Sequence, residues 1–316
     1  MTLYLTENDV VSLLPMNNAI QAVESGLIEL GYGRAQNQPR HRVSVGNTLL
    51  NTMSASMQET NILGVKNYAT TPEGPKAYFL LFSDEAELLC LMEADELGRI
   101  RTGATTAMST NYLARFNAKT LTMIGTGFQA ETQLKAISEV RDLDKVRVWS
   151  RRESSVQNFC QKLQSEIQAE IVPTSNLQTA VQGADIVTTV TSATEPVFNS
   201  EWLSEGVHLN AVGNNKVNER EIDSLTIQQM NTIVTDSIEQ SKTESGDLVI
   251  AAQENVPVWD RVGSLSDLVT GSDYRRKSNS QMTMFKSNGL AIEDLAVAYH
   301  VYQKAKESGA GTDMNI

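Results

Sequence analysis

The segment Gly125-Thr126-Gly127-Phe128-Gln129-Ala130 is the most informative stretch of this chain for its fold, because of what lies on either side of it. The apolar run 120–124 before it predicts a buried parallel strand, and residues 131–137 after it predict a helix. A second apolar run, 146–149, ends about 20 residues further on, as a βαβ nucleotide unit requires. The first glycine permits the tight turn, the second lets backbone approach a pyrophosphate, and the alanine keeps helix and strand close. The unit therefore predicts a dinucleotide-binding domain with the phosphates at the helix N-terminus.

The end of the second strand of this unit indicates which nucleotide binds. A site for NAD usually carries an acidic residue there, which accepts a hydrogen bond from the ribose 2′-hydroxyl. This chain has Ser150, Arg151 and Arg152 instead. A guanidinium can bind a 2′-phosphate through charge-assisted, forked hydrogen bonds, although both arginines can also be read as solvated residues at a helix start. The sequence therefore predicts NADP(H) as the preferred cofactor, with NAD(H) as the alternative.

Composition excludes several classes of partner. The chain has 316 residues, enough for two domains, and a net charge of −12, which argues against nucleic acid or an anionic membrane as partner. Its N-terminus has no signal-peptide pattern, and no apolar run reaches the length of a membrane span. The isolated Cys90 and Cys160 and the scattered His41, His208 and His300 form no metal-ligand spacing. We therefore predict a cytoplasmic protein with reduced cysteines and no metal.

The first third of the chain predicts an α+β domain. Residues 3–33 have the pattern of a short strand followed by two helices, and residues 42–93 contain short extended runs separated by turn residues. These features are typical of a mostly antiparallel sheet. Residues 93–115 predict a connecting helix, and residues 290–306 predict an amphipathic helix that returns to this domain.

The middle of the chain alternates strand and helix, as a doubly wound parallel sheet requires. The predicted fold class is therefore α/β, a Rossmann doubly wound parallel sheet plus an α+β substrate-binding domain. We place the NAD(P)-binding domain at residues 115–290 and the substrate-binding domain at residues 1–114 and 291–316. The tail, 307–312, is predicted to be disordered.

Ligands of a doubly wound sheet bind beyond the carboxyl ends of its strands, at the switch point. Three segments converge there by topology: the glycine-rich turn, residues 191–193 after the fourth strand and residues 213–216 after the fifth. We therefore expect further cofactor contacts from Thr191, Ser192, Val212 and Gly213.

Three cations of the first domain are candidates for binding a small acidic substrate. Lys66 ends an apolar run, Arg101 lies among small residues that leave room for a ligand, and Arg42 begins a strand. Lys66 can also be read as a solvated surface residue.

The chain resembles the ornithine cyclodeaminase/mu-crystallin family over nearly its whole length. The resemblance implies a substrate-binding, dimer-forming domain joined to a Rossmann domain, the use of NAD or NADP, and a homodimer. It is carried by the glycine-rich turn together with Arg101-Thr102-Gly103-Ala104-Thr105-Thr106-Ala107, Ala184-Asp185-Ile186-Val187, Gly206-Val207-His208-Leu209-Asn210-Ala211-Val212-Gly213, Glu244-Ser245-Gly246-Asp247-Leu248, Phe285-Lys286-Ser287-Asn288-Gly289-Leu290-Ala291 and Asp294-Leu295-Ala296.

The resemblance also implies roles for individual residues. Arg42 and Arg101 match positions that hold the substrate carboxylate, and Lys66 matches a lysine that binds beside the reacting nitrogen and can donate a proton. We also expect Met53 at the substrate site and Thr102 at the cofactor. The catalytic residues are then Lys66 and Arg101, since two cations that fix a carboxylate orient the substrate for hydride transfer.

Two positions depart from the members that cyclise ornithine. Asn51 and Asn215 stand where those members resemble one another in carrying carboxylates. The resemblance implies that the carboxylate at the position of Asn215 positions or deprotonates the substrate amine, and that the one at the position of Asn51 holds a distal ammonium. An amide cannot act as a general base, so Asn215 is expected to orient substrate by hydrogen bonds, and Asn51 at the substrate site fits a substrate without a distal ammonium. We therefore predict an NAD(P)H-dependent reductase or dehydrogenase acting on the C–N bond of a small α-imino or α-amino acid, such as a cyclic ketimine carboxylate. The alternatives are an ornithine cyclodeaminase that recycles its nicotinamide and a non-catalytic, crystallin-like binding protein.

Overall fold

The computed structural model describes residues 1–71, 74–271 and 273–315. The chain forms two compact units, one made of Met1–Thr105 with Gly289–Ile316 and the other of Thr106–Asn288. Ile316, the last residue of the predicted segment 291–316, lies outside the described residues.

The first unit is built on a mostly antiparallel sheet, as predicted. Its elements are β1 (Thr2–Leu5), α1 (Glu7–Leu13), α2 (Met16–Gly31), β2 (Ala35–Asn37), β3 (His41–Val45), β4 (Thr48–Met57), β5 (Ile62–Thr71), β6 (Gly74–Ser83), β7 (Leu88–Glu93), the start of α3 (Asp95–Leu113), α11 (Ala291–Ser308) and β16 (Thr312–Met314). The strand order in the sheet is β16-β1-β7-β6-β5-β4-β2, with β3 also paired to β4, and β1 and β7 are the parallel neighbours. Helices α2 and α11 contact one another, and α11 also lies against β4 and β5.

The second unit is a doubly wound parallel sheet, which confirms the predicted α/β class. Its order is β10-β9-β8-β11-β12-β15-β13-β14. Among the described residues, each helix is too short or too polar to span a bilayer. The elements are β8 (Thr120–Ile124), α4 (Ala130–Val140), β9 (Lys145–Trp149), α5 (Glu153–Leu163), β10 (Glu170–Pro173), α6 (Leu177–Val181), β11 (Ile186–Thr189), a 3₁₀ turn (Ser200–Trp202), β12 (His208–Ala211), α7 (Ser224–Gln229), β13 (Thr232–Thr235), α8 (Ile238–Glu244), α9 (Gly246–Gln253), β14 (Val262–Ser264), α10 (Leu265–Val269) and β15 (Thr283–Lys286).

The division between the units falls inside helix α3, between Thr105 and Thr106, and not after residue 114 as predicted. The end of this helix is held by a side chain of the second unit. The Arg141 guanidinium donates hydrogen bonds to the carbonyl oxygens of Thr110 and Ala114, which lie in the last turn of the helix and just beyond it. A cation is favourable at these carbonyls because they carry the negative end of the helix dipole.

The prediction of a disordered tail was wrong. Helix α11 continues to Ser308 and ends at Gly309, which has a left-handed φ of 71°. Strand β16 then pairs antiparallel with β1. Gly309 is therefore a helix C-cap rather than a sign of disorder, since glycine adopts the left-handed conformation without steric cost.

A chain of buried polar groups lies within the second unit. The imidazole of His208 hydrogen-bonds to Thr283 Oγ1 and to Asn210 Oδ1, each at 3.0 Å, and is fully buried. Burial lowers the pKa of His208 to about 3, and the nearby charges of Arg276 and Arg141 lower it in the same direction. His208 is therefore neutral in the folded protein at neutral and mildly acidic pH.

This histidine makes the free energy of unfolding depend on pH. In the unfolded chain it binds a proton below about pH 6.5, whereas in the folded chain it does not, so stability falls as pH falls through that range. Between pH 8 and pH 5 this one group is expected to lower the free energy of unfolding by about 2 kcal/mol. Urea titrations at both pH values measure this change. Between pH 8 and pH 5, the free energy of unfolding of His208→Gln should fall by about 2 kcal/mol less than that of the wild type. His41→Gln, at an exposed position, is the control, and an unchanged pH dependence in His208→Gln would refute the assignment.

Candidate cofactor and substrate sites

A cleft of about 980 Å³ opens at the carboxyl edge of the second unit's sheet. It is formed where strands β8, β9, β11 and β12 end, which is the position predicted for a dinucleotide. Twelve of the predicted cofactor residues line it: Gly125, Thr126, Gly127, Phe128, Gln129, Ser150, Arg151, Arg152, Thr191, Ser192, Val212 and Gly213.

The glycine-rich turn fits the close approach of a phosphate. Gly125 has a φ of 118°, and a Cβ on it would collide with the carbonyl oxygen of Val190, so only glycine can take this turn. A Cβ on Gly127 would meet no protein atom within 4 Å, which leaves the space beside it for ligand. Ala130 does not line the cleft, because it is fully buried in the core cluster that includes Leu121 of β8. Its small side chain therefore serves helix–strand packing.

Strand order determines how a dinucleotide would lie across this cleft. Strand β9 lies on one side of β8, and β11 and then β12 lie on the other. A pyrophosphate at the β8 turn places one nucleoside over the end of β9, where Arg151 and Arg152 are exposed. The other nucleoside then lies over the ends of β11 and β12, beside Thr191 and Gly213.

A cluster of charged side chains is buried in the first unit, and we call Arg40, Lys66, Arg101, Glu293 and Asp294 the charged cluster. Asp294 Oδ1 accepts hydrogen bonds from Lys66 Nζ at 2.9 Å and from Arg101 Nε at 3.0 Å. Arg101 Nη1 also donates to Glu293 Oε2 at 2.8 Å. Strand β5, helix α3 and helix α11 each supply part of the cluster, so the helix that returns from the end of the chain brings its carboxylates to the two cations.

The protonation behaviour of Lys66 and Asp294 follows from this arrangement. Burial lowers the pKa of Lys66 below its ordinary value; the Asp294 carboxylate opposes the shift, while Arg101 and Arg40 reinforce it. Burial alone raises the pKa of Asp294, but the charges of Arg101 and Lys66 outweigh burial and hold that pKa below its ordinary value. A lysine with a lowered pKa gives up a proton more readily near neutral pH, which suits a proton donor.

The structure places Arg40, and not Arg42, in the charged cluster. Arg40 is buried, and its Nη2 donates to the Gly289 carbonyl oxygen at 3.4 Å. A Cβ on Gly289 would come within 2.7 Å of Arg101 Nη1, so this glycine lies between the two guanidiniums. Arg42 is exposed on β3, where its Nε donates to Asn51 Oδ1 at 3.2 Å.

The remaining predicted site residues fall in different places. Met53 is buried on β4 and is the register partner of Lys66, and Asn51 is buried nearby with its Nδ2 donating to the Tyr68 carbonyl oxygen at 3.4 Å. Thr102 lies in the first unit, where its hydroxyl donates to the Gly98 carbonyl oxygen at 2.7 Å. Asn215 is half-buried in the loop after β12 of the second unit. The sites assigned to these residues stay predictions.

Sequence reasoning missed Arg40, Glu293 and Asp294. Arg40 stands two residues before Arg42, and its burial has no signal in sequence. Asp294 belongs to a motif that carried the family resemblance, and that motif is a signal that could have found it. In the described part of the chain, no group of three or more His, Cys, Asp or Glu side chains is arranged to hold a metal ion.

The charged cluster has a net positive charge, because its three cations face the two carboxylates of Glu293 and Asp294. It brings two guanidiniums and one ammonium group together in a place where all five of its side chains are buried. Electrostatic attraction is stronger away from water, and the carboxylate of a small acid is a partner of the required charge. Guanidinium groups can bind carboxylates with two parallel hydrogen bonds, and the Nε and Nη1 groups of Arg101 already donate to Asp294 and Glu293.

Comparison with known proteins shows the family to which the chain belongs. The model of the ornithine cyclodeaminase/mu-crystallin family matches residues 1–309. The chain is similar to a Δ1-pyrroline-2-carboxylate reductase of Bacillus cereus, with 35% identity over 98% of each chain. Among solved structures it is similar to the Δ1-pyrroline-2-carboxylate reductase of Thermococcus litoralis in complex with NADH and L-proline, with 34% identity, a TM-score of 0.95 and coverage of 99% of this chain and 100% of the other.

A second solved structure has the same fold over the same length. It is an archaeal alanine dehydrogenase dimer with bound NAD, with 30% identity, a TM-score of 0.94 and coverage of 99% of each chain. The match of the family model over nearly the whole chain confirms the resemblance that the sequence motifs indicated. This chain therefore belongs to the ornithine cyclodeaminase/mu-crystallin family.

Proposed function

We propose that this protein is an NADPH-dependent reductase of a cyclic α-imino acid, with Δ1-pyrroline-2-carboxylate as the substrate of first choice. The charged cluster carries the proposal, because its neighbouring guanidiniums match a single α-carboxylate and its lysine can supply a proton. The relatives named Δ1-pyrroline-2-carboxylate reductase, one of them in complex with L-proline, support the five-membered ring.

The reaction adds a hydride to C2 of the C2=N1 bond and a proton to N1, which yields the cyclic amino acid. Bound reduced nicotinamide supplies the hydride. Arg40 and Arg101 bind the substrate carboxylate, and this fixes the orientation of the ring. Lys66 donates the proton at N1, and Asp294 holds the ammonium group of Lys66 in place.

The test is the oxidation of NADPH by the purified protein, followed at 340 nm. Δ1-Pyrroline-2-carboxylate, Δ1-piperideine-2-carboxylate, and pyruvate with ammonia or methylamine are offered one at a time. Rapid oxidation with a cyclic imine supports the proposal and identifies the ring size. Ammonia release from ornithine with NAD, without oxidation of NADPH by any imine, would contradict it and favour a cyclodeaminase. We rank that activity second, because Asn215 is an amide where a cyclodeaminase needs a base, and Asn51 is an amide where it needs a carboxylate for the distal ammonium.

We propose NADP(H) as the preferred cofactor. Arg151 and Arg152 are exposed in the cleft just after the end of strand β9. The adenosine ribose of a bound dinucleotide would lie beside this strand end. In this position their guanidiniums can bind a 2′-phosphate. A preference for NAD(H) is the alternative, because two relatives have NADH or NAD bound.

Replacing Arg151 with aspartate tests this preference. The variant is expected to raise KM for NADPH by about 10- to 100-fold, since a charge-assisted hydrogen bond contributes about 1.5–3 kcal/mol, and to leave KM for NADH unchanged or lower. Lys277→Asp, with the same charge change at an exposed position of the same unit, is the control. An unchanged ratio of the two KM values would exclude Arg151 from 2′-phosphate binding.

A homodimer and a cytoplasmic location complete the proposal. The dimer is supported by a relative of the same fold and length that is a dimer, and light scattering of the purified protein tests it. The location is supported by the free thiols of Cys90 and Cys160.

A further inference from the structure

Glu221 joins two loops of the cofactor cleft through one buried carboxylate. Its Oε1 accepts hydrogen bonds from the backbone N–H of Thr191 at 2.7 Å and from the hydroxyl of the same residue at 2.6 Å. Its Oε2 accepts from the backbone N–H of Gly213 at 2.7 Å and from the Thr189 hydroxyl at 3.0 Å. Thr191 follows β11 and Gly213 follows β12, so one side chain connects the ends of these neighbouring strands.

Further buried charges hold Glu221 in place. Asp247 Oδ1 accepts the backbone N–H groups of Glu221 and Ile222, at 2.8 and 2.9 Å. Asp247 Oδ2 lies 3.1 Å from Lys286 Nζ, and Lys286 in turn donates to the carbonyl oxygen of Asn214. Glu221, Asp247 and Lys286 are all fully buried, so the network is shielded from solvent.

The two loops also touch directly. A Cβ on Gly213 would collide with the backbone of Thr191 and would come within 2.5 Å of Glu221 Oε1. Both loops line the cleft, on the side of the β8 turn away from Arg151. A dinucleotide with its adenosine over β9 places its nicotinamide at this joined pair of loops.

We propose that Glu221 is a positioning residue that shapes the nicotinamide half of the cofactor site and leaves the adenosine half unaffected. The inference rests on the proposed function, because it requires a nicotinamide dinucleotide in the cleft. It assigns a role to a residue that contacts neither ligand in the proposed reaction and acts through Thr191 and Gly213.

The variant Glu221→Gln tests the proposal. Glutamine keeps the size of the side chain, but its NH2 group must face a backbone N–H that the carboxylate accepted, so one of the two loops loses its anchor. Binding of NADPH and of 2′-phospho-ADP-ribose, which lacks the nicotinamide, is measured by calorimetry. The Kd of NADPH is expected to rise about tenfold or more, and the Kd of the fragment to stay unchanged. Glu205→Gln, an exposed glutamate of the same unit, is the control.

A second variant keeps the test decisive if Glu221→Gln does not fold. Thr189→Val removes one hydroxyl that donates to Glu221 and conserves the shape of a fully buried side chain. It is expected to weaken NADPH binding severalfold and to spare the fragment. Equal loss for both ligands, or no loss for either, overturns the inference and leaves Glu221 with a structural role only. A wild-type protein that binds neither ligand would instead overturn the proposed function.

Discussion

Replacing Lys66 with methionine is expected to lower kcat for imine reduction by about 10²–10⁴-fold, the range typical of a lost general acid. Methionine keeps the length and apolar contacts of the side chain but has no proton to donate. Lys66 is also one of three cations in the charged cluster, so KM for the imino acid should rise as well. The Kd of NADPH should stay unchanged, since Lys66 is not among the residues that line the cofactor cleft.

Steady-state kinetics with the imine and calorimetry with NADPH measure these two effects separately. Lys76→Met is the matched control, because Lys76 lies on the neighbouring strand of the same sheet with 71% of its side chain exposed. A Lys66→Met enzyme that keeps wild-type kcat would show that the proton comes from elsewhere. A variant that loses NADPH binding as well would indicate general misfolding, which thermal melting distinguishes.

The second large effect is expected from Asp294→Asn. The proposed reaction requires protonated Lys66, so kcat is expected to fall as pH rises through the pKa of this lysine, which burial holds below its ordinary value. Removing the carboxylate of Asp294 removes the charge that opposes this shift, so the pKa falls further. The alkaline limb of the pH profile should therefore move down by about 1–3 pH units, the usual effect of one close opposite charge.

Asparagine is suited to this test because it removes charge with little change of shape. Asp294 Oδ1 accepts both hydrogen bonds, whereas Oδ2 accepts none from the described residues, so the amide oxygen can take the place of Oδ1. Asp84→Asn, in an exposed turn of the same unit, is the control. An alkaline limb that stays where it is in Asp294→Asn would mean that the limb does not report on Lys66. Asp294→Asn leaves the buried cations with one carboxylate fewer, and this is expected to lower the free energy of unfolding by at most about 3–5 kcal/mol. Thermal melting measures this loss of stability.

The βαβ unit with its glycine-rich turn, and the cleft that this turn lines, could be predicted from the sequence alone. The glycine-rich turn depends on local backbone requirements, and the positive φ of Gly125 requires a glycine at that position. Strand and helix periodicity are local in the same way, so the two sheets and their helices could be predicted from short windows. The family motifs added the roles of Lys66 and Arg101, and these roles stay proposals.

Which charged side chains share one site could be learned from the tertiary structure only. Arg101 and Asp294 are 193 residues apart, and no periodicity relates helix α3 to helix α11. Sequence reasoning chose Arg42, whereas the fold buries Arg40 and leaves Arg42 exposed on an edge strand. Glu221 had no sequence signal at all, because its role depends on the close contact of two loops. The physical reason is common to all three cases: a buried charge is stable only beside its partners, and partners are chosen by the packing of distant elements.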